Sequence, residues 1–362
     1  MITDCSGGKD IPVIRYPDPV AASLANTTLS MNRGIYLMES FWRDKTLKLE
    51  VPLADCNSYN LHGLDELREA TIELHNAVSP IHGTELTQRE LVFGMGATQC
   101  FHAALYAYRT LSNSNLSVTT ELPGYLEYRN LIDILHPGSS WIDIDEVTNK
   151  DSTVEIICSP NNPDGRLVTK RTDAKYVIHD NVNFWPFFFD KPEDYYEENY
   201  SDQQISIYSY SKILGFSASR VGYAFVKDKR VADLMRRYIV YNCHGMCTEG
   251  QLKCLKAVQY ILQSPSQYVE TLTYLCQERW RMFIEAVDEF NRNNALKLNL
   301  LNNSGPTAWI SLDIPAVDWA NSMNILATYG PEYGASDNHL RINILSMPNE
   351  FHEFLSRLKS CI

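Results

Sequence analysis

The run Ser209-Tyr210-Ser211-Lys212-Ile213-Leu214-Gly215-Phe216-Ser217-Ala218-Ser219-Arg220 sets one lysine among small hydroxyl residues, with an arginine eight positions downstream. A lysine amine forms a Schiff base with an aldehyde such as pyridoxal phosphate, while hydroxyls and a guanidinium neutralise and orient the phosphate. Taken alone, the run also reads as a surface Ser/Lys/Arg turn. The rest of the chain decides between the two.

Upstream, the apolar run from Val154 to Ile157 leads into Cys158-Ser159-Pro160-Asn161-Asn162-Pro163-Asp164-Gly165, which reads as a buried parallel strand ending in a proline-braced turn. Asn162 is then presented at a strand's carboxyl end, where open α/β sheets bind ligands. A helical connection is expected next. Tyr176-Val177-Ile178-His179-Asp180 reads as a second apolar strand, with Asp180 placed to hold a pyridinium nitrogen protonated. Earlier still, Leu91-Val92-Phe93-Gly94-Met95-Gly96-Ala97-Thr98-Gln99 passes from strand to helix through glycines, a candidate phosphate cradle of backbone amides. Each piece alone has a bland reading as a cap or a tight turn.

In this order the pieces resemble a fold-type I pyridoxal-phosphate enzyme of the aminotransferase class I/II superfamily. Within it the chain is similar to the plant alliinase and tryptophan aminotransferase-related family. Gly94 to Gln99 is similar to that family's G-x-G-S-T-Q, and His179-Asp180 through Phe184-Trp185-Pro186 to its H-D-x-A-Y-Y-W-P. Ser211-Lys212 through Ser219-Arg220-Val221-Gly222-Tyr223-Ala224 matches as well, and so does Tyr238-Ile239-Val240-Tyr241-Asn242 with Thr248-Glu249-Gly250-Gln251-Leu252. The likeness runs from about Leu61 to the C-terminus.

The resemblance implies a role for each matching position. Lys212 is the Schiff-base lysine and the base that moves the Cα proton; Asp180 pairs with the pyridine nitrogen. Asn162 bonds the ring's 3-oxygen, and Tyr125 stacks on the ring, with Tyr128 close enough to compete for that assignment. Ala97 and Thr98 supply amides to the phosphate, completed by Ser209 and Arg220. Arg341, in His339-Leu340-Arg341-Ile342-Asn343, grips the substrate α-carboxylate. Tyr59 resembles the tyrosine that reaches the phosphate of a neighbouring subunit, which implies a homodimer with active sites at the interface.

One position departs from the pattern. Family members carry a tyrosine three residues after the aspartate, and Asn183 stands there. An amide donates a hydrogen bond but never ionises, so a weaker hold on the 3-oxygen and a higher Schiff-base pKa are expected.

A chain of 362 residues with 44% hydrophobic content can bury a large core. The expected fold class is α/β, a large cofactor-binding domain over residues 56–240 with a mostly parallel sheet. Residues 1–55 are expected to form an N-terminal arm and part of the small domain, with Phe41-Trp42 an apolar anchor on a short helix. Residues 241–362 are expected to give a bridging helix and a smaller α+β C-terminal domain. The helical pattern from Val231 to Leu262, and again from Tyr268 to Phe290, predicts that long helical bridge. Residues 190–200 read as a solvated surface loop.

The net charge of −12 argues against a nucleic-acid surface, and no apolar window of about 18 residues reads as a membrane span. The N-terminus shows no basic-then-apolar leader, so a cytoplasmic location is expected. Nine cysteines, an odd number, suit reduced thiols. Cys243, Cys247 and Cys254 beside His244 match no usual metal spacing and read instead as one helical face, so no metal is expected. Cys158 reads as a buried, inert thiol beside the cofactor turn.

The activity implied is transfer of an amino group from an L-amino acid to a 2-oxo acid. An aromatic or apolar donor such as tryptophan is favoured, with Tyr125, Tyr128, Phe184 and Trp185 as candidate pocket walls. A carbon–sulfur lyase would share every cofactor contact and differ in releasing pyruvate and ammonia without an acceptor. A non-catalytic, cofactor-binding regulatory protein would show a cofactor spectrum unmoved by any amino acid.

Overall fold

In this computed structural model residues 28–32, 37–49, 60–78, 86–136, 138–189 and 204–360 are described. The chain begins with a short strand β1 (Leu29–Ser30) and a helical turn α1 (Glu39–Trp42), then α2 (Asp65–Val78), β2 (Glu90–Gly94), α3 (Gly96–Ser112) and β3 (Ser117–Thr120). It continues through α4 (Glu127–Leu135), β4 (Ser140–Trp141), β5 (Thr153–Cys158), β6 (Tyr176–Asp180), β7 (Ile205–Ser209), α5 (Tyr210–Ile213) and β8 (Gly222–Val226). Three helices follow, α6 (Lys229–Cys243), α7 (Thr248–Ile261) and α8 (Pro265–Asn293). Last come β9 (Asn299–Leu300), β10 (Ala308–Ser311), α9 (Ala316–Ser322), β11 (Ile325–Leu326), β12 (Thr328–Tyr329), β13 (His339–Ile342) and α10 (Pro348–Ser360).

Strands β5, β7 and β8 are buried along their whole length, as strands covered on both faces must be. Their alternating side chains feed two cores. Ile205, Ile207, Ala224 and Val226 join the cluster under α3 and α6, while Tyr208, Tyr223 and Phe225 join the larger cluster shared with α2, α7 and α8. The seven-stranded sheet runs β2-β8-β7-β6-β5-β3-β4 and is parallel except for β8, which is antiparallel to both neighbours. A second, four-stranded antiparallel sheet runs β12-β13-β10-β9, and β1 pairs in parallel with β11. The expected α/β class, a mostly parallel sheet with a smaller α+β C-terminal part, is the fold observed. Among the described residues no helix is long and apolar enough to cross a membrane.

Two local expectations are corrected. The link between β5 and β6 holds no helix. Its Arg171 and Thr172 amides instead donate to the buried Glu155 carboxylate at 2.7 and 2.9 Å, which keeps the chain extended across β5. The long helical bridge is three helices rather than one. His244 takes a left-handed φ of 55° and its amide bonds Val240 O, closing α6, and Gly245 follows at φ 95°. Pro265 then opens α8, whose buried Tyr268, Leu272, Cys276, Trp280, Phe283, Val287 and Phe290 recur every three or four residues on one face. Cys243 and Cys254 therefore lie on different helices, with Cys247 just before the second. Among the described residues no three His, Cys, Asp or Glu side chains gather as a metal would require.

Candidate active site

Strand register assembles the site. Gly94 pairs with Gly222, Gly222 with Ser209, Ile207 with Asp180, and Asp180 with Cys158. The carboxyl ends of β2, β7, β6 and β5 thus share one edge of the sheet, the edge where open α/β sheets take ligands. Over it lies a cavity of about 470 Å³, and Ala97, Thr98, Tyr125, Asn162, Asp180, Asn183, Ser209, Lys212, Arg220 and Arg341 all line it. Tyr59 falls outside the described residues.

At one end the first turn of α3 meets Arg220. The Gln99 side-chain oxygen accepts the Met95 amide at 2.7 Å, so the helix start is braced and its next amides precede any intrahelical bond. Gly96 has φ 79°, and a Cβ there would lie 2.4 Å from Arg220 Nη2; the guanidinium occupies that space. Arg220 itself sits in the left-handed region at φ 51°, with Nη1 donating to Ser217 O at 3.1 Å. Ser209 caps α5, accepting the Ser211 amide at 3.1 Å and keeping its own proton to donate. A helix N-terminus beside a guanidinium is an anion seat.

Lys212 projects from α5, a single turn fixed from behind. Trp42 Nε1 donates to Leu214 O at 2.9 Å, the Tyr268 hydroxyl donates to Ile213 O, and Tyr210 shares a hydrogen bond with Thr71. The short helix expected around Phe41-Trp42 is thus a brace for the lysine turn. Burial, and next the Arg341 guanidinium, bring the Lys212 ammonium down to about 8 against the pull of Asp180 and Cys158. Only the neutral amine attacks an aldehyde. The rate at which cofactor-free protein couples to pyridoxal phosphate should therefore climb about tenfold per pH unit below about 8 and level off above it. A stopped-flow profile still climbing at pH 10 would show an ordinary exposed lysine.

Asp180 ends β6. Burial raises its pKa, opposed first by a hydrogen bond from the Tyr128 hydroxyl, then by the Val182 amide at 3.1 Å and by Lys212. Tyr128 is 3% exposed and stacked on Phe101, whereas Tyr125 is only partly buried and lines the cavity edge-on to Tyr128. With its hydroxyl committed to Asp180, Tyr128 leaves Tyr125 as the ring available for stacking.

Arg341 reaches the cavity from β13 in the other sheet. Its Nη1 donates to Asn162 Oδ1 at 2.8 Å and its Nη2 to Asn32 O at 3.1 Å, and the Tyr333 ring lies 5.3 Å from the guanidinium carbon. That bond fixes the Asn162 amide with its oxygen toward the arginine, leaving its NH₂ as the donor for a ring oxygen. Among the described residues the buried Arg341 Nε and Asn183 Oδ1 have no hydrogen-bond partner. Cys158 is an inert thiol as read: burial, then Asp180, pushes its pKa far up.

The donor set fits pyridoxal phosphate on observations of this chain. An anion seat stands at one end, a carboxylate and a low-pKa lysine occupy the middle, and two unpartnered buried polar atoms await a ligand. Asn183 lines the cavity at the departure position. Installing the tyrosine, Asn183→Tyr, should lower the pH midpoint of the bound cofactor's absorbance change, because a phenol stabilises the deprotonated state better than an amide. An unchanged midpoint in the same titration would remove that reading.

The expected aromatic wall is half corrected. Phe184 and Trp185 do not line the cavity. Trp185 is fully buried against His75 and Tyr208, with Nε1 donating to Val182 O at 3.2 Å, and Phe184 packs on Phe189. Other lining residues went unread in the sequence, among them Asn32, Ser211, Ser217, Thr307 and Asn343. The second serine of the lysine run would have given Ser211 and the arginine's own turn Ser217. Asn32 meets Arg341 through its backbone oxygen, which leaves no trace in residue type.

The family model described as "Allinase" matches residues 34–362. Tryptophan aminotransferase-related protein 3 of Arabidopsis thaliana is 26% identical, over 99% of this chain and 82% of that one. Alliin lyase 2 of Allium sativum is 24% identical, over 82% of this chain and 67% of that one. Among solved structures, an aminotransferase from Staphylococcus aureus superposes with a TM-score of 0.66 at 20% identity, covering 92% of this chain and 93% of the other.

Proposed function

The chain belongs to the alliinase family of fold-type I pyridoxal-phosphate enzymes, and from that premise we propose that it is an aminotransferase moving the amino group of an L-amino acid to a 2-oxo acid. The observation that carries this reading is the convergence of Lys212, Asp180, Asn162, Arg220 and Arg341 on one cavity. Similarity to tryptophan aminotransferase-related proteins over 99% of this chain supports the transaminase branch.

Arg341 holds the α-carboxylate of the donor through its two-pronged guanidinium, and Asn162 fixes the plane of that guanidinium. This anchors the substrate amino group and Cα next to Lys212. With a pKa of about 8, Lys212 is part neutral at physiological pH, so its amine can take the Cα proton and return it. The α3 amides, Ser209 and Arg220 would hold the phosphate of pyridoxal phosphate, Asp180 would pair with its ring nitrogen, Asn162 and Asn183 would serve its 3-oxygen, and Tyr125 would cover its ring. Pyridoxal phosphate held there supplies the electron sink that makes the Cα proton acidic. Tyr125, Phe101 and Leu131 give the cavity apolar walls, which supports an aromatic or other apolar donor. A homodimer is the family-based expectation, checked by light scattering of the purified protein.

The deciding experiment adds each L-amino acid to the holoenzyme without acceptor, then assays oxo acid and ammonia. Replacement of the yellow band by the near-ultraviolet band of the amine form, with one equivalent of oxo acid, is the expected result. Continuous pyruvate and ammonia with the yellow band retained would make the protein a carbon–sulfur lyase, as the names of its Allium relatives suggest. A spectrum unmoved by any amino acid would make it a binding protein.

A further inference from the structure

Tyr128 and Asp180 are 52 residues apart in sequence and meet at the floor of the cavity. The phenol belongs to the first turn of α4, and the carboxylate to the end of β6. The Tyr128 ring stacks on Phe101 with centroids 5.0 Å apart, Tyr125 meets it edge-on at 5.2 Å, and only 3% of the residue is exposed. On the carboxylate side, Oδ1 accepts the Val182 amide at 3.1 Å and Oδ2 accepts the Tyr128 hydroxyl. A carboxylate has about four lone-pair positions, so these two bonds leave acceptor capacity on a group that lines the cavity.

We propose that Tyr128 is a positioning residue for the cofactor's ring nitrogen, acting through Asp180: its hydroxyl fixes the orientation of the carboxylate. The inference rests on the reading of Asp180 as the ring-nitrogen partner. Asp180 and the ring nitrogen compete for one proton, and the pair works as an electron sink only when the proton stays on nitrogen. A donor on Oδ2 makes the carboxylate the poorer base and leaves the proton on the ring. The groups facing Asp180 are Tyr128 from α4 and Tyr125 just before it, Cys158 from β5, the Val182 amide and Lys212 from α5. Of the influences favouring its charged form, the phenol is the largest. Tyr128 is itself pushed well above the usual tyrosine range, first by burial and then by Asp180, so it stays a donor at every working pH. Cys158 lies against both groups but is held as a neutral thiol.

The test loads wild type and Tyr128→Phe with pyridoxal phosphate labelled with ¹⁵N in the ring and records the ring-nitrogen chemical shift. Cofactor affinity is measured in parallel by titrating the cofactor-free proteins. Tyr128→Phe keeps the ring stacked on Phe101 and removes one oxygen, so the fold and the cavity wall persist. The expected result is a pyridinium-like shift in wild type that moves toward the neutral-pyridine value in the variant. Affinity should fall about 10-fold and kcat about 10- to 100-fold, the usual effect of losing a hydrogen bond to a charged group. An unmoved ring-nitrogen shift in a loaded Tyr128→Phe protein would overturn the proposal and leave the tyrosine a packing residue. A neutral-pyridine shift already present in wild type would instead overturn the reading of Asp180, and the proposal with it. If wild type failed to bind the cofactor at all, the proposed function itself would fall.

Discussion

Lys212→Met is expected to abolish turnover, with a loss of at least ~10³-fold in kcat, and at the same time to raise the melting temperature of the cofactor-free protein. The two effects have one cause. Methionine keeps the volume of the side chain and removes only the amine. Without it no base stands beside the Cα proton and no covalent link to the cofactor forms, so borohydride treatment should fix no cofactor to the protein. Stability moves the other way because the Lys212 pKa is about 8 in the folded chain against an ordinary 10.5. Below pH 8 both states carry the charge, and the folded state bears the full cost of holding it away from water next to Arg341. As pH rises from 8 to 10.5 the folded state gives up its proton first, and the cost fades. The variant should therefore melt above wild type at pH 7, by an amount on the order of 2 kcal/mol in stability, with the gap closing toward pH 10. Calorimetry of the two cofactor-free proteins at both pH values checks this. Equal melting at pH 7 would mean that Lys212 is not held in the desolvated, part-neutral state on which the mechanism depends.

How far this site was legible in the sequence follows from where each group sits. Asp180 ends a β-strand, Lys212 and Asn162 stand in the turns just after one, and the α3 turn opens a helix, and each carries a local pattern of an apolar run followed by a turn or a glycine. Parallel topology then brings such ends to one edge without further information. Arg341 has no such local signal, since a single arginine in a short strand is ordinary, and it was placed by family likeness alone. The Tyr128–Asp180 bond spans two elements and depends on the approach of α4 to β6, which no periodicity encodes. Phe184 and Trp185 misled for a related reason. They follow the aspartate strand, but the tight turn after Asp180, with the Phe184 amide bonded to Asn181 O, swings both rings under the sheet toward His75 and Phe189. The three-helix break was written in His244-Gly245 and Pro265, a glycine and a proline that a long apolar periodicity concealed. At residue 183 the family pattern and this chain part, and an unpartnered amide oxygen is what the fold holds there.

Gly222→Ala is expected to weaken pyridoxal phosphate binding by at least ~100-fold while leaving the sheet folded. Gly222 opens β8, in register with Gly94 of β2 on one side and Ser209 of β7 on the other. A Cβ placed there would lie 2.3 Å from Ala97 N, 2.3 Å from Gly96 C and 2.9 Å from Gly96 Cα. All three are backbone atoms, so no rotamer change relieves the clash, and the first turn of α3 has to move off β8. That turn carries the amides assigned to the phosphate, and Arg220 lies two residues before the substitution, so one methyl group displaces both halves of the anion seat. Gly96→Ala makes the useful contrast. Its Cβ meets the movable end of Arg220 at 2.4 Å, and its φ of 79° adds strain of about 1–2 kcal/mol, so a smaller loss is expected. Fluorescence titration of the two cofactor-free variants with pyridoxal phosphate, and with pyridoxal lacking the phosphate, separates the cases. Gly222→Ala should lose most of the preference for the phosphorylated form. If it bound pyridoxal phosphate within about threefold of wild type, the start of α3 would not be where the phosphate sits, and the orientation assigned to the whole cavity would have to be reversed.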